Sequence, residues 1–338
     1  MLERYSNYSY RRNIQSPLII TGLAIICLCS WLIGYLFSVG YPIPAKPSDT
    51  PLWTALCSLL SEKEVVYAAG GLLTMAGAFL LHRANYTLAL IKEKTYLPFF
   101  LYIFFISANP DFFPLTPASL GIVFIIASLY LLFLSYHDSE ARKTAYNTAL
   151  ILSAGSLLWV HILCFFPLFW YGMYLFRTLT LRTFLASLFG IATVCWLLLG
   201  WSVWRNDLSF FAVLFDKSIG IQILTLSSVS ILSWIEIIIV GVLNIAAAIN
   251  IIRNSHNENQ RTRQYLQFLI ILGIWSFSLF FLFEQSANEF LQIACISSAI
   301  LITHFFKLMQ RRKLIKWTLY IIILIFISIL FLRLWSFL

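Results

Sequence analysis

Few side chains in this sequence combine a reactive type with a position where that type is unusual. Glu236, in SWIEIIIVGVLNIAAAIN, is the one carboxylate inside a full-length apolar run. An ionisable group there is costly to bury and marks a functional site by default, for instance a proton or cation site. Asn244 falls two turns further on, about 80° around a helix. Small residues at Gly241, Ala246, Ala247 and Ala248 suit close packing, so a hydrogen-bonded structural role for Glu236 stands equally open. His161 sits where a long apolar stretch must break, ahead of Pro167 and several aromatic residues. A single histidine builds no metal site, and its plainer role is to satisfy backbone groups freed at the break. Asp111, in NPDFFP, is either a turn former or a ligand group. Asp49 precedes Thr50-Pro51, where a carboxylate favours a helix start. Arg205 and Lys217 bracket NDLSFFAVLFD and are placed to hold a lipid phosphate or to anchor in the headgroup layer. Asp111, His161, Arg205, Lys217 and Glu236 are the candidate substrate-contacting residues. His82 and His304 fall at the ends of spans and read as interfacial. The sequence has no HExxH, GxSxG, phosphate-loop or zinc-spaced motif. Five of the six cysteines lie within apolar runs and form no framework. No metal and no cofactor is expected.

The elements that must position these residues are membrane helices. The chain has 338 residues, 60% of them hydrophobic, 17% aromatic and 11% charged, a balance that excludes a soluble domain. It reads as an all-α, polytopic transmembrane bundle forming one integral membrane domain over residues 1–338. The net charge of +9 comes from small clusters beside apolar runs, which reports topology and not nucleic-acid binding. The N-terminal MLERYSNYSYRRNIQSP is too long and polar for the head of a signal peptide, so the first span should stay attached.

Taken in order, residues 1–17 are expected in the cytoplasm and 18–39 form the first span. Outer loop 40–65 carries a short interfacial helix over 51–61, with Thr50 as N-cap and Pro51 at the first helical position. Spans follow at 66–84 and 118–136, separated by 97–109, which is only about 20 Å long if helical and calls for shielding by neighbours, tilt or thinning. Residues 146–177 are too long for one crossing and too short for two. Charge decides between the readings. If 146–159 and 162–177 double back near His161, the inner side holds 18 of the 23 basic residues; a single crossing splits them 11 to 12. The positive-inside rule selects the paired version. Spans at 183–204, 229–252, 265–283, 288–306 and 317–332 complete eleven membrane segments, N-terminus in and C-terminus out. A second outer loop, 205–228, carries an interfacial helix over 205–218.

This layout, with short paired segments around LPFF…SANPDFF and HILCFFPLFW and an acid-bearing first outer loop, resembles the membrane core of GT-C-type polyprenyl-phosphate-sugar glycosyltransferases. The rhythm of LPFFLYIFFISANPDFFPLTPASL and LRTFLASLFGIATVCWLLLGWSVW also looks like an uncharacterised polytopic family of Bacteroidota inner membranes. The glycosyltransferase resemblance implies that Asp49 acts as general base on an acceptor hydroxyl, while basic outer residues hold a polyprenyl-phosphate-linked sugar. The first loop has no second paired acid, and no soluble outer domain follows it. A non-catalytic scaffold for other envelope proteins therefore remains an alternative, as does a transporter using Glu236. The expected partners are membrane lipids, with no nucleic acid.

Overall fold

A computed structural model of the chain describes residues 17–39, 41–42, 50–60, 62–91, 95–138, 140–204, 206, 223–224 and 231–308, with 324–325, 327–329 and 331–332 beyond them. The second interfacial helix and most of the last span lie outside these residues.

The described chain is built of helices: α1 (Pro17–Leu36), α2 (Pro51–Leu59), α3 (Lys63–Leu88), α4 (Leu97–Ser107), α5 (Pro117–Leu134), α6 (Arg142–Ser156), α7 (Phe166–Leu175), α8 (Leu181–Trp204), α9 (Ile231–Arg253), α10 (Gln260–Leu282) and α11 (Ala287–Leu308). Among the described residues, six helical segments are long and apolar enough to cross a membrane: Lys63–Leu88, Pro117–Leu134, Leu181–Trp204, Ile231–Arg253, Gln260–Leu282 and Glu284–Lys307. Shorter apolar helices accompany them, including Leu97–Ser107.

Local chemistry sets the ends of these elements. α5 opens with a reciprocal capping box: Ser119 N donates to Thr116 Oγ1 (3.1 Å) and Thr116 N to Ser119 Oγ (3.1 Å), with Pro117 in the first turn. α3 closes on Ala89 in the left-handed region, φ 50°. The short α4 takes the internal position: Leu101 through Ser107 are all buried. Its C-terminal groups are satisfied from α1, since Ser30 Oγ donates to Ser107 O (2.8 Å) and Trp31 Nε1 to Ser107 Oγ (3.0 Å). A short helix within a bilayer needs such partners, because hydrocarbon supplies none.

The stretch from 146 to 177 doubles back. α6 ends at Ser156, a 3-10 segment runs over Val160–Phe165, and α7 returns. Its last residues meet the turn before α6, where His137 N donates to Phe176 O (3.3 Å). Trp275 Nε1 on α10 donates to Cys164 O (2.9 Å) and so occupies a carbonyl exposed by the break. The bundle therefore has two ends. Thr50, the Leu157 turn and Phe283 mark one. The other is marked by Phe133, Tyr136, Phe176 and Tyr265, whose rings pack together. All described Lys and Arg side chains except Lys63 belong to segments at the Tyr265 end.

Helix α11 is the axis of the fold. The apolar window of Glu284–Lys307 is 94% buried, against 28% for Leu181–Trp204. The helix carries Glu289, Gln292, Ser297, Ser298, Thr303 and His304, all buried. These residues are spread around the helix, which leaves no face suited to lipid.

Candidate functional site

A cleft of about 650 Å³ lies between α2, α6 and α8 at the Thr50 end. Its first wall is the nine-residue α2, which contributes Pro51, Leu52 and Ala55. Thr50 fixes this helix in two ways. Its hydroxyl oxygen accepts from Trp53 N (3.2 Å), the capping bond expected of an extended N-cap. Its proton is shared between Leu157 O (2.8 Å) and Leu158 O (3.2 Å), two carbonyls at the broken end of α6. Trp53, 1% exposed, packs with Val66 and Leu115 and holds the other side of α2.

The remaining walls come from α6 (Leu150, Ala154), the turn residue Leu157, and α8 from Thr193 to Ser202. The two helices meet at the cleft floor. A Cβ on Gly190 would sit 2.6 Å from Tyr146 O and 3.0 Å from the Ala149 Cβ, so only glycine permits this approach. Beside it the Tyr146 and Thr193 hydroxyls are 3.1 Å apart. The polar lining groups are already engaged: Thr193 Oγ1 donates to Phe189 O (2.7 Å) and Ser202 Oγ to Leu198 O (2.9 Å). The walls thus present hydrocarbon, and Leu197 (67% exposed) and Trp201 (50% exposed) leave the cleft open at the side. Such a space accepts an apolar chain and gives it no directional contacts.

The candidate residues fall into separate places. Asp49, Arg205 and Lys217 lie outside the described residues. In sequence Asp49 precedes Thr50, the N-cap of the α2 wall, and Arg205 follows Trp204, the last residue of α8, which lines the cleft from Thr193 to Ser202. Asp111 is exposed in the 3-10 turn Pro110–Phe112, where the Asn109 side chain accepts from Asp111 N (3.3 Å). His161 is 4% exposed in the Val160–Phe165 segment, surrounded by the rings of Trp159, Phe283 and Phe290 at centroid distances of 5.6, 5.0 and 5.7 Å. Glu236 is 4% exposed on α9, within electrostatic reach of Cys295 on the central helix. Asn244, two turns along, donates from Nδ2 to Ser298 Oγ (2.8 Å) and to Val240 O (2.8 Å). Neither Asp111, His161 nor Glu236 lines the cleft.

His304 differs from its sequence reading. It is buried, and its Nε2 lies 3.7 Å from Glu258 Oε1, which ties the loop between α9 and α10 to α11. Nearby Arg261 Nε donates to Tyr265 Oη (2.7 Å), which donates to Phe133 O (2.6 Å). The sequence placed His304 near a span end but carried no signal that α11 would be enclosed there. The cleft walls were equally unmarked: Ala154, Leu197 and Leu198 are ordinary apolar residues, and only the glycine at 190 hints at a close helix approach. Among the described residues no three His, Cys, Asp or Glu side chains gather to hold a metal, and the six cysteines are free thiols. Compared with known proteins, the sequence matches no family model and no curated protein.

Proposed function

We propose that this chain is a multi-pass inner-membrane protein that handles a lipid-linked substrate, with the substrate's hydrocarbon in the α2/α6/α8 cleft and its head at the Thr50 end. The carrying observation is the cleft itself, an apolar space of about 650 Å³ with a lateral opening, two of whose walls are α2 and α8, the helices that Asp49 precedes and Arg205 follows in the sequence. The collection of Lys and Arg at the opposite end supports placing that end in the cytoplasm. The cleft then opens to the outer leaflet, the N-terminus is inside and the C-terminus outside. In this reading the core is a reduced relative in shape of the GT-C glycosyltransferases. Asp49 withdraws a proton from an acceptor hydroxyl, and Arg205, aided by Lys217, stabilises charge on the departing phosphate. The test uses membranes enriched in the protein, a radiolabelled polyprenyl-phosphate hexose, and the Asp49→Asn and Arg205→Ala variants. Transfer above background that both substitutions abolish is expected; full transfer in either variant removes that residue from the mechanism.

The burial of Glu236 on a full-length helix favours a second reading, a transporter with a protonatable carboxyl at the α9/α11 contact. Proton-coupled uptake into vesicles that is unchanged in Glu236→Gln would dispose of it.

A further inference from the structure

We infer that the corner between Trp201 and Trp204 is a sugar subsite, where the ring of a sugar carried by the lipid lays its C–H face on the Trp204 indole. This rests on the reading of the cleft as the lipid site and names the part of the lipid head that the protein reads. Leu197, Trp201 and Trp204 fall at i, i+4 and i+7 of α8 and so share one stripe of the helix. Leu197 and Trp201 line the cleft. Trp204 is the next residue on that stripe, about 4.5 Å beyond Trp201 along the axis and just past Ser202, the last lining residue of the helix. It stands where a tail in the cleft gives way to its head.

The two indoles sit nearly at right angles. Their centroids are 6.0 Å apart and their planes meet at 76°, the edge-to-face arrangement that ring quadrupoles favour. Trp201 braces one side of Trp204, while 81% exposure leaves most of the Trp204 ring uncovered. An indole face is electron-rich and attracts weakly positive hydrogens. A cyclic sugar offers a matching surface, with C–H groups on its face and hydroxyls around its edge. Stacking therefore takes an apolar face out of water and leaves the hydroxyls hydrated. Anchoring in the headgroup layer accounts for an exposed tryptophan at a helix end but does not choose which side of the helix carries it. Trp196, 76% exposed on the same helix, does not line the cleft. An open-chain head such as glycerol has no ring face to present, so the corner selects for a ring.

The experiment measures the binding of two radiolabelled lipids of equal charge, a polyprenyl-phosphate hexose and a polyprenyl-phosphate glycerol, to the purified full chain in detergent. Wild type should bind the hexose lipid about fivefold more tightly, the worth of one aromatic contact. Trp204→Leu should erase that preference and leave the affinity for the glycerol lipid unchanged. Trp204→Phe should keep most of the preference, and Trp196→Leu should behave as wild type. Equal binding of the two lipids by wild type, a preference that survives in Trp204→Leu, or equal weakening of both lipids by that substitution would overturn the inference. Binding of both lipids without preference leaves the cleft reading standing, whereas binding of neither removes it too. A preference erased by Trp204→Leu, together with full transfer by the Asp49→Asn and Arg205→Ala variants, would keep the sugar subsite and remove the catalytic reading.

Discussion

Replacing Thr50 by valine keeps its shape and removes one hydroxyl that serves two helices. Thr50 is 2% exposed and its bond from Trp53 N is buried, so water does not replace that bond. Losing the bond from Trp53 N should cost about 1 kcal/mol, as for other N-caps. Leaving the half-buried Leu157 and Leu158 carbonyls without this donor adds about 1 kcal/mol, the low end for an unsatisfied polar group. The total of roughly 2 kcal/mol is a sizeable part of the ~5–15 kcal/mol that holds a typical domain together. Because the latch is local, the effect should concentrate on α2. Hydrogen exchange of Pro51–Leu59 in nanodiscs should quicken about 30-fold for 2 kcal/mol, since ~1.4 kcal/mol is a factor of ten. Thr50→Ser keeps the hydroxyl and should stay near wild type. If valine and serine exchange alike, the hydroxyl does not hold α2 and the account of the cleft wall fails.

Gly190→Ala should force α6 and α8 apart, because the added methyl meets the backbone at Tyr146 O, and destabilise the protein by about 1–3 kcal/mol. Gly200→Ala on the same helix meets nothing within 4 Å and should stabilise by up to ~1 kcal/mol; thermal unfolding of both variants in one detergent tests the contrast. A reporter fused after residue 258 should be active in the cytoplasm, because that loop lies at the basic end with Arg253 and Arg261. Periplasmic activity would invert the orientation of the cleft.

The sequence determined the segments. Apolar runs, the Thr50-Pro51 start, the internal shortness of Leu97–Ser107 and the doubling back before Arg177 follow from rules that act locally or by charge. Backbone groups must be bonded within hydrocarbon, and basic residues resist crossing it. What the sequence left open was the arrangement of those segments. In water, hydrophobicity separates inside from outside; in a bilayer, lipid tails are as apolar as leucine and the signal disappears. Only the tertiary structure made α11 the buried axis, enclosed His304 beside Glu258, and set α2 against α6 and α8. Those outcomes depend on which polar groups found partners and on where one glycine let two helices touch, and apolar periodicity encodes neither.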